Sequence, residues 1–151
     1  MNYFDELGNC ISQIDNVIDQ WINKLGLSYN HFAVLYSLAN TPDGQCTQKQ
    51  IGDEWYLPKQ TVFNICKEYK EKGWIEFEIS PNDKREKIMR LTPAGQAYAK
   101  PILQATQSIS EQAFNEFGKK KTMQLFALMR EFSEIFQKHI DNYEQHTTAD
   151  P

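Results

Sequence analysis

The sequence predicts a mainly α-helical fold carrying one small β-wing. Two observations carry that reading: a continuous helix–turn–helix–ribbon pattern over residues 47–95, and long apolar helical stripes at both ends of the chain. The elements follow in chain order. Leu7, Ile11, Ile14, Ile18, Trp21 and Leu25 recur at spacings of four and three, a helical stripe close to a heptad seam. Ser28 is the expected N-cap of a helix running from about Tyr29 to Ala39, and Thr41-Pro42-Asp43-Gly44 is the turn that closes it. Thr47-Gln48-Lys49-Gln50 fits a capping box opening a short helix, Thr47 to Glu54. A turn at Trp55-Tyr56-Leu57 leads into a second helix from Pro58 to Lys72, stopped by Gly73.

Trp74 to Ile79 alternates as a strand should, Ser80 to Glu86 is a charged turn, and Lys87 to Leu91 is the return strand. Thr92 then caps a long helix with Pro93 at its first position, marked by Tyr98, Ile102, Ala105, Ile109 and Ala113. Pro101 removes one backbone bond inside that helix and should bend it without ending it. After Gly118-Lys119-Lys120-Lys121 a last stripe follows: Leu125, Met129, Phe132, Phe136, Ile140 and Tyr143. Gln145 to Pro151 reads as a frayed tail.

Helix, turn, helix and a two-stranded ribbon with a basic tip make a winged helix-turn-helix, expected over about residues 28–95 of a single domain spanning 1–151. Residues 1–25 and 96–145 form a helical frame around it. The winged unit is too small to bury three long stripes, so the frame is expected to meet a second copy of the chain. The residues expected at that dimer interface are Leu7, Ile11, Ile14, Ile18, Trp21, Phe132, Phe136, Ile140 and Tyr143.

Composition narrows the function. At 151 residues the chain suits one domain. No apolar run approaches the roughly 18 residues of a membrane span, and Met1 to Glu6 has no secretory-signal character, so a soluble cytoplasmic protein is expected. Cys10, Cys46 and Cys66 are odd in number and widely spaced, giving neither a disulfide framework nor a metal knuckle. His31, His139 and His146 are scattered; Asp141 and Glu144 near His139 read better as a solvated helix end than as ligands. No Ser-His-Asp order, paired catalytic carboxylates or glycine-rich phosphate loop occurs, which argues against an enzyme, and no cofactor is expected. Net charge is −4, yet residues 47–90 hold nine Lys/Arg against eight acids. A winged unit with basic edges on an acidic frame can steer DNA to one face.

The candidate DNA contacts are Thr47 and Gln48 at the start of the first helix, Lys59, Gln60, Thr61, Asn64 and Lys67 on the second, and Asp83, Lys84, Arg85 and Lys87 at the wing. Gln and Asn can bond adenine in bidentate fashion, Lys can reach guanine or phosphate, and a Thr methyl can touch that of thymine. An arginine at the wing tip suits a narrow minor groove, with Asp83 accepting hydrogen bonds that hold its aim. Val62, Ile65, Cys66 and Tyr69 fall on the opposite side and should pack inward. Trp21, Tyr29, Phe32, Tyr36 and Trp55 would cluster where the first two helices meet the winged unit, a place for a small aromatic or phenolic effector or simply core.

These residues resemble the MarR family (multiple antibiotic resistance regulators) over essentially the whole chain. Leu57, Thr61-Val62, Gly73, Pro81, Asp83-Lys84-Arg85 and Leu91-Thr92-x-Ala94-Gly95 match the family pattern. The resemblance implies a homodimeric transcription factor, a repressor, that binds pseudo-palindromic double-stranded DNA and is released by a small ligand, with its dimer interface on the first and last helices. The sequence departs from the family at Pro58, Phe63, Asn64 and Asn82, which implies a different DNA sequence and weaker phosphate contact. The family's peroxide sensors carry a cysteine in the first helix, but counting back from Leu25 to Tyr29 places it near Phe4 and not at Cys10. A redox- or metal-sensing regulator of the same fold, or a winged-helix module for protein contact that has lost DNA binding, are the alternatives.

Overall fold

The computed structural model describes the backbone of residues 1–147 and side chains through Tyr143. Glu144 and His146 therefore lie outside the described side chains, as does the whole of the tail expected to fray, residues 145–151. The chain forms two compact units, Met1–Ala105 and Thr106 onward. The elements are α1 (Tyr3–Lys24), α2 (Tyr29–Ala39), β1 (Gln45–Thr47), α3 (Gln48–Trp55), α4 (Lys59–Glu71), β2 (Ile75–Ile79), β3 (Lys87–Leu91), α5 (Pro93–Phe117) and α6 (Lys119–Thr147).

The local signals act as the sequence anticipates. One cap is unanticipated: Asn2 caps α1 by accepting from Phe4 N at 3.0 Å, five residues ahead of Leu7, the first stripe residue. Ser28 caps α2 through His31 N. Thr47 and Gln50 complete a reciprocal capping box, with Gln50 N to Thr47 Oγ1 at 3.1 Å and Thr47 N to Gln50 Oε1 at 2.8 Å. α5 runs through Pro101 without ending.

The ribbon expected from the sequence is the outer part of a three-stranded antiparallel sheet in the order β1-β3-β2. β3 pairs with β2 from Ile75↔Leu91 to Ile79↔Lys87, and its other edge takes β1 through Gln45↔Arg90, Cys46↔Met89 and Thr47↔Ile88. Three residues are too few to show alternation, so β1 has no periodicity to detect. It forms because the free edge of β3 would otherwise bury unpaired backbone groups.

The core of the first unit sits between this sheet and α2, α3, α4 and the start of α5. Val34, Leu35 and Leu38 from α2 meet Ile51 of α3, Val62, Ile65, Cys66 and Tyr69 of α4, Ile75 and Met89 of the sheet, and Ala99 of α5. Gly95 is buried where α5 starts; a Cβ there would stand 2.0 Å from the carbonyl oxygen of Trp74. Only glycine permits that approach. It lets Thr92 N donate to Trp74 O at 2.9 Å and Thr92 Oγ1 to Gly73 O at 2.6 Å. Trp74 and Tyr98 stack beside it with centroids 3.9 Å apart.

In the second unit, Gly118 (φ +102°) separates α5 from α6, Thr122 Oγ1 donates to Gly118 O at 2.9 Å, and Phe114 packs edge-on against Phe126. The apolar stripes of α1 and α6 stay largely uncovered within the chain. Ile11, Ile14 and Ile18 on α1, and Phe132, Phe136 and Ile140 on α6, are all between 40% and 51% exposed, and Tyr143 is 70% exposed. Leu7 and Trp21 are half-buried.

Candidate nucleic-acid interface

The turn between α3 and α4 is tight. α3 ends at Tyr56 in the left-handed region (φ 53°, ψ 43°), and Leu57 N donates to Gly52 O at 3.0 Å. Any Cβ at position 52 would press on Leu57 O at 3.3 Å, so the glycine keeps the two helices close. Beside this turn, Gln48, Lys49, Gly52, Asp53, Leu57 and Lys59 line a cleft of about 390 Å³.

α4 buries Val62, Ile65, Cys66 and Tyr69, the four residues expected to pack inward. Its opposite side carries Lys59, Gln60, Phe63, Asn64, Lys67 and Glu71, all exposed, while Thr61 is half-buried. Gln60 Nε2 donates to Asn64 Oδ1 at 2.9 Å, so these two amides form one unit. Phe63 is 48% exposed on this otherwise polar face. The sequence marks Phe63 only as a departure from the family, because local pattern does not show which flank of a helix a neighbouring sheet will cover.

Thr47 requires a correction. It is 8% exposed, its hydroxyl is spent on the cap and its backbone is in β1, so it holds the start of α3 and has no free surface to offer DNA. Gln48 beside it is half-buried and lines the cleft.

The wing loop is fixed by its own backbone. Ser80 N donates to Glu86 O at 3.0 Å, Glu86 N to Asp83 O at 3.1 Å, and Ser80 itself is buried. The Asp83 carboxylate accepts from the backbone N–H of Arg85 at 2.9 Å, an Asx turn that sets the direction in which Arg85 leaves the loop. Lys84 and Arg85 are exposed at the tip. The Phe77 ring has Lys87 Nζ 5.6 Å from its centroid and Lys70 Nζ of α4 5.0 Å from it, so one aromatic ring gathers a wing lysine and a helix lysine. On the outer face Arg90 donates to Gln45 and Glu78, each at 2.7 Å, while its Nε is buried without a partner.

α2 is tied to α4 by a row of side chains. His31 Nε2 meets Glu68 Oε2 at 2.9 Å, Ser28 Oγ meets His31 Nδ1 at 2.7 Å, and Tyr69 Oη donates to the carbonyl of His31 at 3.0 Å. The hydrogen bond from His31, with further help from Lys72, holds the Glu68 carboxyl below its usual range despite some desolvation. Ser, His and Glu stand in line, but the serine oxygen is the cap of α2; the row is a clamp between helices. Nothing in the one-dimensional spacing of 28, 31 and 68 signals it.

Four of the five aromatic residues grouped in the sequence come together. Trp55 meets Tyr29 and Tyr36 edge-on at 6.0 and 6.1 Å, and Phe32 packs on Tyr36 at 5.5 Å. Trp55 Nε1 donates to Ser37 Oγ at 2.6 Å, a buried polar partner that sequence reading missed. Trp21, the fifth, is half-buried on α1. Cys46 and Cys66 are buried, and burial pushes their thiols up to about 11 and about 12; Cys10 is exposed. Among the described residues no three His, Cys, Asp or Glu side chains are placed to hold a metal, and no helix is long and apolar enough to cross a membrane.

A helix-turn-helix whose second helix presents a polar face, joined to a three-stranded wing with a basic tip, defines a winged helix-turn-helix. A model described as the MarR family matches residues 25–86. A MarR-family regulator from Neisseria meningitidis is 43% identical, its structure superposes with a TM-score of 0.86, and the match covers 95% of this chain and 99% of that one. The HTH-type transcriptional regulator Hpr of Bacillus licheniformis is 27% identical over 87% of this chain and 69% of its own. A mutant MarR from E. coli, complexed with operator DNA, shares the fold at 21% identity and a TM-score of 0.69, over 87% of this chain and 99% of that one. The chain belongs to the MarR family and is a transcriptional regulator, not an enzyme.

Proposed function

We propose that this regulator is a homodimeric repressor that binds a pseudo-palindromic operator through α4 and the wing and is released by a small aromatic or phenolic effector. The observation that carries the reading is the shared mounting of two exposed polar elements on one buried core. Gln60, Asn64, Lys59 and Lys67 project from α4, and Lys84 and Arg85 from the wing tip, with Asp83 aiming the latter. A helix of this kind fits the major groove and a basic loop the neighbouring minor groove. Gln48 and Lys87 flank these surfaces and suit phosphate contact. The mutant E. coli MarR was captured on operator DNA, which supports the same use of the fold here.

Dimerisation rests on the exposed stripes of α1 and α6. Covering one such side chain is worth up to about 1.5–3 kcal/mol, and a second copy offers the same surface in return. The effector reading rests on the rings of Tyr29, Phe32, Tyr36 and Trp55, a wall suited to another planar ring, with Trp21 as a further candidate.

The test is a fluorescence anisotropy titration of labelled duplex from upstream of the protein's own gene, with and without excess unrelated DNA, at several salt concentrations. Competitor-resistant binding with a steep salt slope is expected, since each phosphate neutralised contributes about −0.9 to that slope. Binding that unrelated duplex abolishes at equal concentration overturns sequence-specific regulation and favours a module for protein contact. Addition of simple phenolic carboxylates should lower the affinity and quench tryptophan emission together; loss of neither removes the effector part of the reading.

A further inference from the structure

We propose that Gln60, Asn64 and Phe63 act together as a reader of two adjacent A·T pairs in each half-site, Gln60 taking the adenine edge and Phe63 the thymine methyl. The inference rests on the DNA-binding reading above and names what that surface recognises.

The amide pair comes first. Gln60 gives one of its two Nε2 hydrogens to Asn64 Oδ1 at 2.9 Å, on the exposed side of α4. That bond turns the Gln60 amide so that its nitrogen faces Asn64. Gln60 keeps its second N–H and its Oε1 for another partner on this exposed side. One donor beside one acceptor complements the major-groove edge of adenine, which offers the N7 acceptor and the N6 amino donor. Guanine presents two acceptors there, N7 and O6, and would face Oε1 with a lone-pair clash. A free glutamine could flip its amide to suit either base; a glutamine bonded to Asn64 keeps that bond on flipping only if the Asn64 amide turns over with it, so the pair restrains the flip. The pairing of Gln60 with Asn64 is therefore a selectivity device, and Asn64 is a positioning residue whose own Nδ2 hydrogens remain available to a neighbouring base or phosphate.

Phe63 supplies the second half. It is 48% exposed, three residues on from Gln60, and flanked one turn away by Lys59 and Lys67. A ring left in water on a helix otherwise lined by amides and lysines gains nothing from folding. The one apolar group that the major groove presents to such a ring is the C5 methyl of thymine. Because Phe63 lies one residue around the helix from Asn64, the methyl it covers belongs to a base pair next to the one that Gln60 reads.

Atomic substitutions in the DNA test this. Randomised duplexes selected by the wild-type protein should yield adjacent A·T pairs in each half-site, and the best site is then rebuilt with single changes. Uracil in place of that thymine removes only the methyl, and 7-deazaadenine in place of that adenine removes only N7. Wild type should lose at least about threefold in affinity with uracil and about tenfold with 7-deazaadenine, in keeping with the value of one good bidentate contact. Phe63→Ala should bind the thymine and uracil duplexes equally while still discriminating 7-deazaadenine; Gln60→Ala should do the reverse. Asn64→Ala should gain tolerance for guanine at the adenine position. All three positions are exposed, so folding is checked by circular dichroism and is expected to survive. If wild type selects a defined site but is indifferent to both base analogues, the composite reader is wrong while DNA recognition stands. If no duplex is enriched at all, the DNA-binding reading itself fails.

Discussion

Gly95→Ala should cost this protein about 3–5 kcal/mol, a figure that follows from what the added methyl would meet. The Cβ would stand 2.0 Å from the carbonyl oxygen of Trp74, 2.8 Å from its carbonyl carbon and 3.1 Å from Leu91 Cδ2. A relaxed carbon–oxygen contact is about 3.3 Å or longer, so backbone would have to retreat by more than an ångström. The carbonyl that moves accepts from Thr92 N, and Thr92 Oγ1 both donates to Gly73 O and accepts from Gly95 N at 3.1 Å. Retreat strips a buried acceptor of its donor, at about 1–3 kcal/mol, and loosens the cap of α5, worth about 1 kcal/mol. It also displaces Trp74 from its stack on Tyr98, at about 0.5–1.5 kcal/mol. Urea unfolding followed by far-UV circular dichroism, at fixed protein concentration, measures the change, with the midpoint falling and the slope preserved. In thermal melts a loss of this size is on the order of a 10 °C drop for a chain of this length. A variant within 1 kcal/mol of wild type would show that α5 can slide away from Trp74 freely and would refute the packing argument.

Three further outcomes are expected. Arg85→Ala should lower operator affinity severalfold and leave the melting temperature within about 1 °C, since an exposed loop tip carries little stability; Arg85→Lys should recover only part, because the ammonium is harder to dehydrate in a narrow groove. Equal binding by Arg85→Ala and wild type would leave the wing a solvated turn. Ile14→Glu and Phe132→Glu should each convert a dimer to monomer or unfolded chain in sedimentation equilibrium, because the covered stripe would trap an unpaired charge; a wild type that is monomeric at micromolar concentration would refute the interface. Stability should also fall in alkali. The Cys66 thiol is raised from 9.0 to about 12 by burial, with Cys46 and Tyr69 raised for the same main reason. A raised folded pKa means the contribution is whole below pH 9 and is lost as pH climbs from there through 12. Removing one such group with Cys66→Ala should flatten the dependence of stability on pH by about 1.4 kcal/mol per unit inside that window, and an unchanged slope would contradict it.

Local chemistry settled one group of features. Caps at Ser28 and Thr47, the breaks at Gly73 and Gly118, the alternation of Trp74 to Ile79 and the buried set Val62, Ile65, Cys66 and Tyr69 were all legible, because each depends on residues within a turn or two of one another. Position along α4 and the wing likewise named most of the candidate contacts. Other features needed the tertiary structure because their partners are far apart in the chain. β1 exists only where β3 offers an edge, and that pairing is part of what buries Thr47 and takes it out of the DNA set. His31 finds Glu68 across 37 residues, and Trp55 finds Ser37 across 18. The exposure of Phe63 depends on which flank of α4 the core leaves open. Helical and strand periods are set by backbone geometry within a few residues, whereas those contacts are set by packing between segments that the chain brings together only once it has folded.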